Sequence, residues 1–134
     1  MYRDVGTFEL TRLACVERLV RDRVDLTRLG PGGSRMCPIA ELLTIVQACW
    51  PKTDLAVQVV LLGPSRQIVA HRDPPIPGTR YHVPVIVNAG CWSFHGGTWR
   101  QLEVGHVYEM DPTIVHGAVN WGPTTRVHLM VDTW

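Results

Sequence analysis

Hydrophobic side chains in residues 1–50 recur at the spacing of an amphipathic helix, in two separate stretches. In the first stretch, the i, i+3 and i+4 pattern is carried by Leu10, Leu13, Ala14, Val16 and Leu19. A second, broader apolar stripe is carried by Ile39, Leu42, Leu43, Ile45, Val46 and Cys49. Proline suits the first turn of a helix, so Pro38 is well placed to begin the second helix, and Pro51 ends it. Between them, a flexible loop is predicted at Gly30-Pro31-Gly32-Gly33-Ser34.

From residue 55 onward the pattern changes to short runs of β-branched residues separated by glycine and proline turns. These runs predict strands near residues 55–62, 67–71, 80–88, 91–95, 98–103, 106–110, 114–120 and 125–132. About eight short strands at this spacing are typical of a sandwich or jelly roll, with the N-terminal helices packed on one sheet. We therefore expect a mainly β protein with a single domain over residues 1–134, whose helical part is 1–50 and whose strand core is 55–134.

The composition is that of a globular protein and narrows the range of partners. Hydrophobic residues make up 46% of the 134 residues and charged residues 19%. A net charge of +1 argues against nucleic acid as a partner. No apolar run approaches the length of a membrane span, and the opening MYRDVGTFEL lacks the pattern of a signal peptide. We expect a cytoplasmic protein that does not bind membranes. The four cysteines contain no C-x-x-C pair, which argues against a thiolate zinc site.

Two histidines and one aspartate form a candidate metal site. His71 ends an apolar strand, and Asp73 follows two residues later, so both side chains point the same way in an extended chain. His116 lies in another apolar run. Two imidazoles and a carboxylate are the facial ligand set of non-haem Fe(II) oxygenases, which leaves coordination positions open for O₂. The alternatives are an aspartate that caps a turn and histidines that are hydrogen-bonded core residues.

Arg126 is a candidate anchor for an acidic co-substrate. It opens the last predicted strand, where Arg126, His128, Met130 and Asp132 share one face and apolar residues share the other. If the first face lines a barrel, a buried arginine needs a carboxylate partner. A guanidinium pairs bidentately with a carboxylate, which suits the distal end of 2-oxoglutarate. The alternative is a surface arginine on an edge strand.

The predicted strand at 80–88 alternates in the same way. Arg80, His82 and Asn88 fall on one face, opposite an apolar face. Polar residues backed by an apolar set are typical of a barrel wall with a wet interior. Arg80 and His82 are therefore candidates to hold the carboxylate of the co-substrate nearest the metal, and the alternative is a solvated outer face.

These motifs resemble those of the aspartyl/asparaginyl β-hydroxylase family. The resemblance covers roughly residues 55–134 and rests on Ala70-His71-Arg72-Asp73, Arg80-Tyr81-His82, Gly105 through Asp111, His116 through Asn120, and Arg126 through Trp134. Its more specific parts are the R-x₅-D-x-W ending and the spacing of ten residues from His116 to Arg126. The resemblance implies a double-stranded β-helix, or jelly roll, that uses Fe(II) and 2-oxoglutarate. It implies iron ligation by His71 and His116, and co-substrate binding by Arg126, Arg80 and His82.

The chain departs from the animal members of that family at two positions. Those enzymes have glycine where this chain has Asp73, so this site resembles a complete triad, nearer to bacterial relatives. A serine that helps to hold 2-oxoglutarate in the animal enzymes aligns with Val60 here. The valine removes one hydrogen bond to the co-substrate.

The expected function is hydroxylation of a C–H bond in an amino-acid side chain, either free or in a peptide or protein, with Fe(II), 2-oxoglutarate and O₂. We expect the protein to be a monomer or a homodimer. One alternative is a cupin-like metal enzyme that does not use 2-oxoglutarate, since jelly rolls host many chemistries. Another is a non-catalytic jelly-roll binding module. Arg126 argues against the first alternative, and the intact His71, Asp73 and His116 set argues against the second.

Overall fold

The structure is a computed structural model, and it describes residues 2–29 and 34–134. Its elements, in chain order, are β1 (Arg3–Thr7), α1 (Leu10–Arg23), β2 (Ser34–Cys37), α2 (Ala40–Gln47), β3 (Leu55–Leu62), β4 (Arg66–His71), β5 (Thr79–Ile86), β6 (Cys91–His95), β7 (Thr98–Arg100), β8 (His106–Met110), β9 (His116–Asn120) and β10 (Arg126–Thr133). The protein is mainly β, as the sequence predicts. The described helices are all too short to cross a membrane.

The strands form two antiparallel sheets that face each other as a double-stranded β-helix. One sheet has six strands in the order β1-β8-β5-β10-β3-β2, and the other has four in the order β4-β9-β6-β7. The eight strands predicted from residue 55 onward are confirmed as β3 to β10, with shifts of up to three residues at their ends. The sequence pattern missed β1 and β2, which pair with β8 and β3. Both are short and carry almost no buried side chains, so they show no alternation to detect.

The main hydrophobic core lies between the two helices and the outer face of the six-stranded sheet. Its buried members include Val16, Val20, Leu42 and Val46 from the helices and Val59, Leu61, Val83, Val85, Val127, Leu129 and Val131 from the sheet. The prediction that the helices pack on one sheet is therefore confirmed. Because the outer-face residues of the central strands are used in this core, their inner-face residues are free to line the space between the two sheets.

The second helix differs from its prediction at both ends. It begins at Ala40 rather than at Pro38, because the chain stays extended through Cys37, which pairs with Val59 in the sheet. It ends at Gln47, whose side-chain amide donates to the carbonyl oxygens of Trp50 and Thr53, both at 2.8 Å. In the predicted loop, residues 30–33 lie outside the described residues, and Ser34 already belongs to β2.

Asn88 does not lie on the barrel wall, contrary to the prediction for the strand at 80–88. That strand ends at Ile86. The Asn88 amide instead donates to the carbonyl oxygen of Thr124 at 3.0 Å and faces Asn120 Oδ1 at 3.3 Å. Asn88 is therefore part of a turn, where its hydrogen bonds join the β5–β6 connection to the β9–β10 connection.

Candidate metal centre and its cavity

A cavity of about 460 Å³ opens between the two sheets. Its polar lining includes His71, Asp73, Arg80, His82, His116 and Arg126, and its apolar lining includes Val60, Ile68, Ile76, Ala118 and Met130. All six site residues that the sequence predicts thus line one cavity. The strand pairings that bring these residues together, such as β4 with β9 and β5 with β10, join segments that are far apart in the chain.

His71, Asp73 and His116 form a compact cluster at this cavity. β4 ends at His71, which is directly opposite His116 in the register of β4 and β9. The Nε2 atom of His71 lies 3.4 Å from Asp73 Oδ1, and the Nε2 atom of His116 lies 3.2 Å from Asp73 Oδ2. One ligand atom from each residue lies within 4.8 Å of the others. That spacing allows the three residues to bind a single metal ion.

Backbone carbonyls fix which nitrogen of each histidine faces the cluster. His71 Nδ1 lies 2.8 Å from the carbonyl oxygen of Val69, and His116 Nδ1 lies 2.8 Å from that of Ile114. A carbonyl oxygen can only accept, so in each ring Nδ1 carries the proton and donates it. Each Nε2 then keeps its lone pair and points it at the cluster, which is the tautomer that metal ligation requires.

Gly117 allows the two strands that carry the histidines to approach closely. A Cβ atom at Gly117 would lie 2.6 Å from the carbonyl oxygen of Ile68 and 3.2 Å from the Cα of Ala70. Only glycine fits this spacing without a backbone shift. The close approach brings the rings of His71 and His116 to a centroid distance of 4.4 Å.

Asp73 is held in place from two directions. Its backbone N–H donates to the carbonyl oxygen of Pro112 at 2.9 Å. Its Oδ2 accepts a hydrogen bond of 3.1 Å from Arg80 Nη1. Arg80 in turn donates from Nε and Nη2 to the two carboxylate oxygens of Asp132, at 2.7 and 2.9 Å. These hydrogen bonds to Asp132, together with the nearby charges, raise the pKa of Arg80. Co-substrate binding by Arg80 stays a prediction, and in the structure three of its nitrogens already bond carboxylates.

Arg126 is a buried guanidinium in the same cavity. Its residue is 3% exposed, and within residues 2–29 and 34–134 no carboxylate forms a salt bridge with it and its Nε has no hydrogen-bond partner. Burial lowers its pKa, an effect that Tyr2 and Cys91 oppose. An uncompensated buried charge is costly, so this site fits an anionic ligand.

Two neutral histidines lie beside this arginine. Nδ1 of His82 and Nδ1 of His128 are 3.5 Å apart. Burial and the positive charge of Arg126 lower the pKa of His82 to about 3. The same causes hold the pKa of His128 well below its usual value. Both rings are therefore neutral at physiological pH, so Arg126 is the charged member of these three neighbouring residues.

Two further residues of this region were not assigned to it from the sequence. His95 is buried in β6, directly opposite His116 in the strand register, and its Nε2–H donates to the carbonyl oxygen of Asp111 at 2.9 Å. The alternation of Cys91, Ser93 and His95 in the predicted strand would have placed it inward. Tyr2 also lines the cavity. No sequence signal indicated this, because Tyr2 precedes a strand that the pattern did not reveal.

Comparisons with solved structures define the class of the fold. KdgF from Halomonas sp. has 16% identity and a TM-score of 0.55, with 87% of this chain and 92% of that chain covered. The Cupin_2 domain of an XRE family transcriptional regulator from Enterobacter cloacae has 11% identity and a TM-score of 0.55, with 77% and 98% covered. An oxalate oxidase solved with the substrate analogue glycolate has 18% identity and a TM-score of 0.52, with 81% and 56% covered. At these identities the likeness shows a shared cupin-type jelly roll and nothing about activity.

The family is defined by the sequence profile of the aspartyl/asparaginyl β-hydroxylases, which matches residues 32–134. The chain belongs to this family, as the resemblance of its motifs implied. It is therefore a jelly-roll protein of hydroxylase type with a His-Asp-His cluster in its cavity. Among the curated proteins, none matches the chain significantly.

Proposed function

We propose that this protein is an Fe(II)- and 2-oxoglutarate-dependent dioxygenase that hydroxylates a C–H bond of an amino-acid side chain, either free or in a peptide or protein. One observation carries the proposal. The same cavity holds a His71, Asp73 and His116 cluster and a buried Arg126 that has no carboxylate partner among residues 2–29 and 34–134. A metal site and an anion site in one cavity match a co-substrate with a metal-chelating end and a distal carboxylate.

The donor set supports iron at the cluster. Two imidazoles and one carboxylate suit Fe(II), whereas thiolates would favour zinc, and three ligands on one face leave positions for co-substrate and O₂. When bound, iron and 2-oxoglutarate supply the reduction of O₂, in which 2-oxoglutarate gives succinate and CO₂ and one oxygen atom enters the substrate C–H bond.

The residues of this chain would bind, orient and exclude water. His71 and His116 present their Nε2 lone pairs, and Arg80 keeps the Asp73 carboxylate oriented toward them. Arg126 would pair with the distal carboxylate, because a bidentate guanidinium–carboxylate pair offsets the cost of its burial. His82, which is neutral, lines the same cavity and would contact the co-substrate as a hydrogen-bonding partner. The apolar lining would limit the water that stays beside the reacting end once co-substrate and substrate are bound.

The family supports an amino-acid side chain as the substrate. An aspartyl or asparaginyl residue is the substrate that the family description names. The cavity is open to solvent on the side of Asp73, Pro74 and Pro75, where exposed and half-buried residues form its rim. A free amino acid or an extended peptide would enter there.

The test is Fe(II)-dependent conversion of 2-oxoglutarate to succinate under air, without added substrate and then with aspartate- and asparagine-containing peptides. We expect slow succinate formation that requires iron and O₂, and that His116→Ala abolishes. His106→Ala is the matched control, because His106 bonds Asp4 where β1 and β8 pair and is not among the residues that line the cavity. Iron bound without any interaction with 2-oxoglutarate would favour the cupin-like enzyme, and failure to bind iron would favour the non-catalytic module.

A further inference from the structure

Tyr2 projects its ring into the cavity although it lies outside the segment that the family profile matches. The residue is 6% exposed and lines the same cavity as Arg126 and the His-Asp-His cluster. Its ring packs edge-on against His82 at a centroid distance of 6.0 Å and lies 5.3 Å from that of His95. A tyrosine in this position puts a phenol inside the barrel, between the two sheets.

Contacts of the backbone and of the side chain hold Tyr2 in place. Arg100 Nη1 donates to the carbonyl oxygen of Tyr2 at 3.2 Å. The next residue, Arg3, begins β1, which pairs with Glu109 on β8 through the backbone and through a salt bridge. The side chain belongs to a small buried cluster with Leu102, Tyr108 and Met110. These contacts fix the position of the phenol, so a ligand would meet it without a large cost in side-chain entropy.

Tyr2 and Arg126 line the same cavity, and the charge of Arg126 influences the phenol. Burial raises the pKa of Tyr2, while the charge of Arg126 and a hydrogen bond with the side chain of Ser93 oppose the rise. Burial lowers the pKa of Arg126, and Tyr2 is the group that opposes this lowering most. A phenol whose pKa is not below its ordinary value is protonated at neutral pH, so it can donate a hydrogen bond to an anion.

Next to Arg126, β3 lines the cavity with an apolar side chain, and the exposed Ser34 of β2 also lines it. Val60 lines the cavity and is directly opposite His128 in the register of β3 and β10, one step along the inner face from Arg126. Its side chain has no polar atom.

We infer that Tyr2 donates a hydrogen bond to the distal carboxylate of 2-oxoglutarate beside Arg126. This inference rests on the proposed function. A carboxylate has more lone pairs than one guanidinium can satisfy, so a second donor from a different strand completes its coordination. It also gives β1 a role in the site, since this edge strand positions the phenol.

The test is the affinity of the Mn(II)-loaded protein for 2-oxoglutarate, measured by calorimetry. We expect Tyr2→Phe to raise Kd about tenfold, as expected for one lost hydrogen bond to a charged group. Val60→Ser in the Tyr2→Phe background should recover part of the loss. Tyr108→Phe is the matched control, because its hydroxyl accepts from the backbone N–H of Glu103 at 3.0 Å. We expect that control to bind 2-oxoglutarate like the wild type.

Pyruvate keeps the 2-oxo acid end of 2-oxoglutarate but lacks the distal carboxylate, so its affinity shows which end of the co-substrate Tyr2 contacts. We expect Tyr2→Phe to leave its affinity unchanged, and an equal loss for both ligands would overturn the inference. Equal Kd values for Tyr2→Phe and Tyr108→Phe, with Arg126→Met clearly weaker, would also overturn it and leave the proposed function standing. Failure of the wild-type protein to bind 2-oxoglutarate would overturn both.

Discussion

Arg80 on β5 donates from Nη1 to Oδ2 of Asp73 at 3.1 Å, and through Arg80 the carboxylate of the cluster is linked to β10. The link exists because the same guanidinium forms two hydrogen bonds with Asp132 on β10. Asp73 lies in the connection between β4 and β5, which has little regular structure of its own. The orientation of Asp73 therefore depends on the Arg80–Asp132 ion pair, whose two residues lie on the middle strands of the six-stranded sheet.

Asp132→Asn tests this chain of contacts. The substitution keeps the size of the side chain but removes the charge that holds Arg80, so Asp73 loses a fixed donor. Partners of metal ligands typically contribute about 10- to 100-fold to metal affinity. We expect a loss of about tenfold in Fe(II) affinity, measured by competition with a chelator. Asp22→Asn, on the exposed side of α1, should leave the affinity unchanged. Wild-type affinity in Asp132→Asn would show that Asp73 is oriented without Arg80.

Gly117→Ala tests the close approach of β4 and β9. The new Cβ would lie 2.6 Å from the carbonyl oxygen of Ile68, so the strands must move apart. Overpacking of this kind costs about 1–3 kcal/mol, and the shift separates His71 from His116. We expect a lower free energy of unfolding and weaker metal binding. Gly63→Ala is the control, since its Cβ would meet atoms no closer than 3.6 Å. Equal behaviour of the two variants would contradict the account of this approach.

Leu42 and Leu43 are adjacent in α2 and provide a paired test of the core. Leu42 is fully buried against the six-stranded sheet, whereas Leu43 is 47% exposed. Leu42→Ala should lower the free energy of unfolding by about 2–5 kcal/mol, as is typical of a large-to-small change in a core. Leu43→Ala should change it by about 0.5 kcal/mol or less. Urea denaturation of both variants checks this, and similar losses would mean that the helix packs on the sheet through a different face.

The buried histidines predict how stability depends on pH. The pKa of His82 is about 3 in the folded protein and near 6.5 without burial, so between these values the unfolded chain binds a proton that the folded protein excludes. Stability should therefore fall as the pH drops below about 6.5, by about 1 kcal/mol per pH unit for such a group. His128 contributes with the same sign. Urea denaturation of the metal-free protein at pH 7 and pH 5 measures the slope. We expect His128→Asn to reduce it, and an unchanged slope would place His128 in contact with water.

The regular elements were predictable because burial of one face makes hydrophobic residues recur with the period of the helix or strand. The alternation of Arg126, His128 and Met130 with apolar residues places the first set on the inner face of β10, and the structure puts that face at the cavity. The His-x-Asp spacing likewise indicated two side chains directed to one point. By contrast, β1 is exposed along its whole length, so only its pairing with β8, far along the chain, reveals it.

The detailed contacts of the site could not be predicted, because they join residues that the sequence does not relate. Nothing in the local pattern distinguishes an Arg80 that holds Asp73 and Asp132 from one that binds a co-substrate directly. The position of Tyr2 depends on the path of an unpredicted edge strand. The identity of His95 as a neighbour of His116 depends on strand register, which is set by pairing across the sheet.

The most direct test of the central claim is anaerobic titration of the Fe(II)-loaded protein with 2-oxoglutarate, followed by visible absorption. A chelate of iron and 2-oxoglutarate gives a weak charge-transfer band, and we expect this band in the wild-type protein. Asp73→Ala and His116→Ala should lack it, and Arg126→Met should need a much higher concentration of 2-oxoglutarate, because a buried charge pair has been lost. Wild-type protein that holds iron but shows no band at any concentration of 2-oxoglutarate would contradict the account.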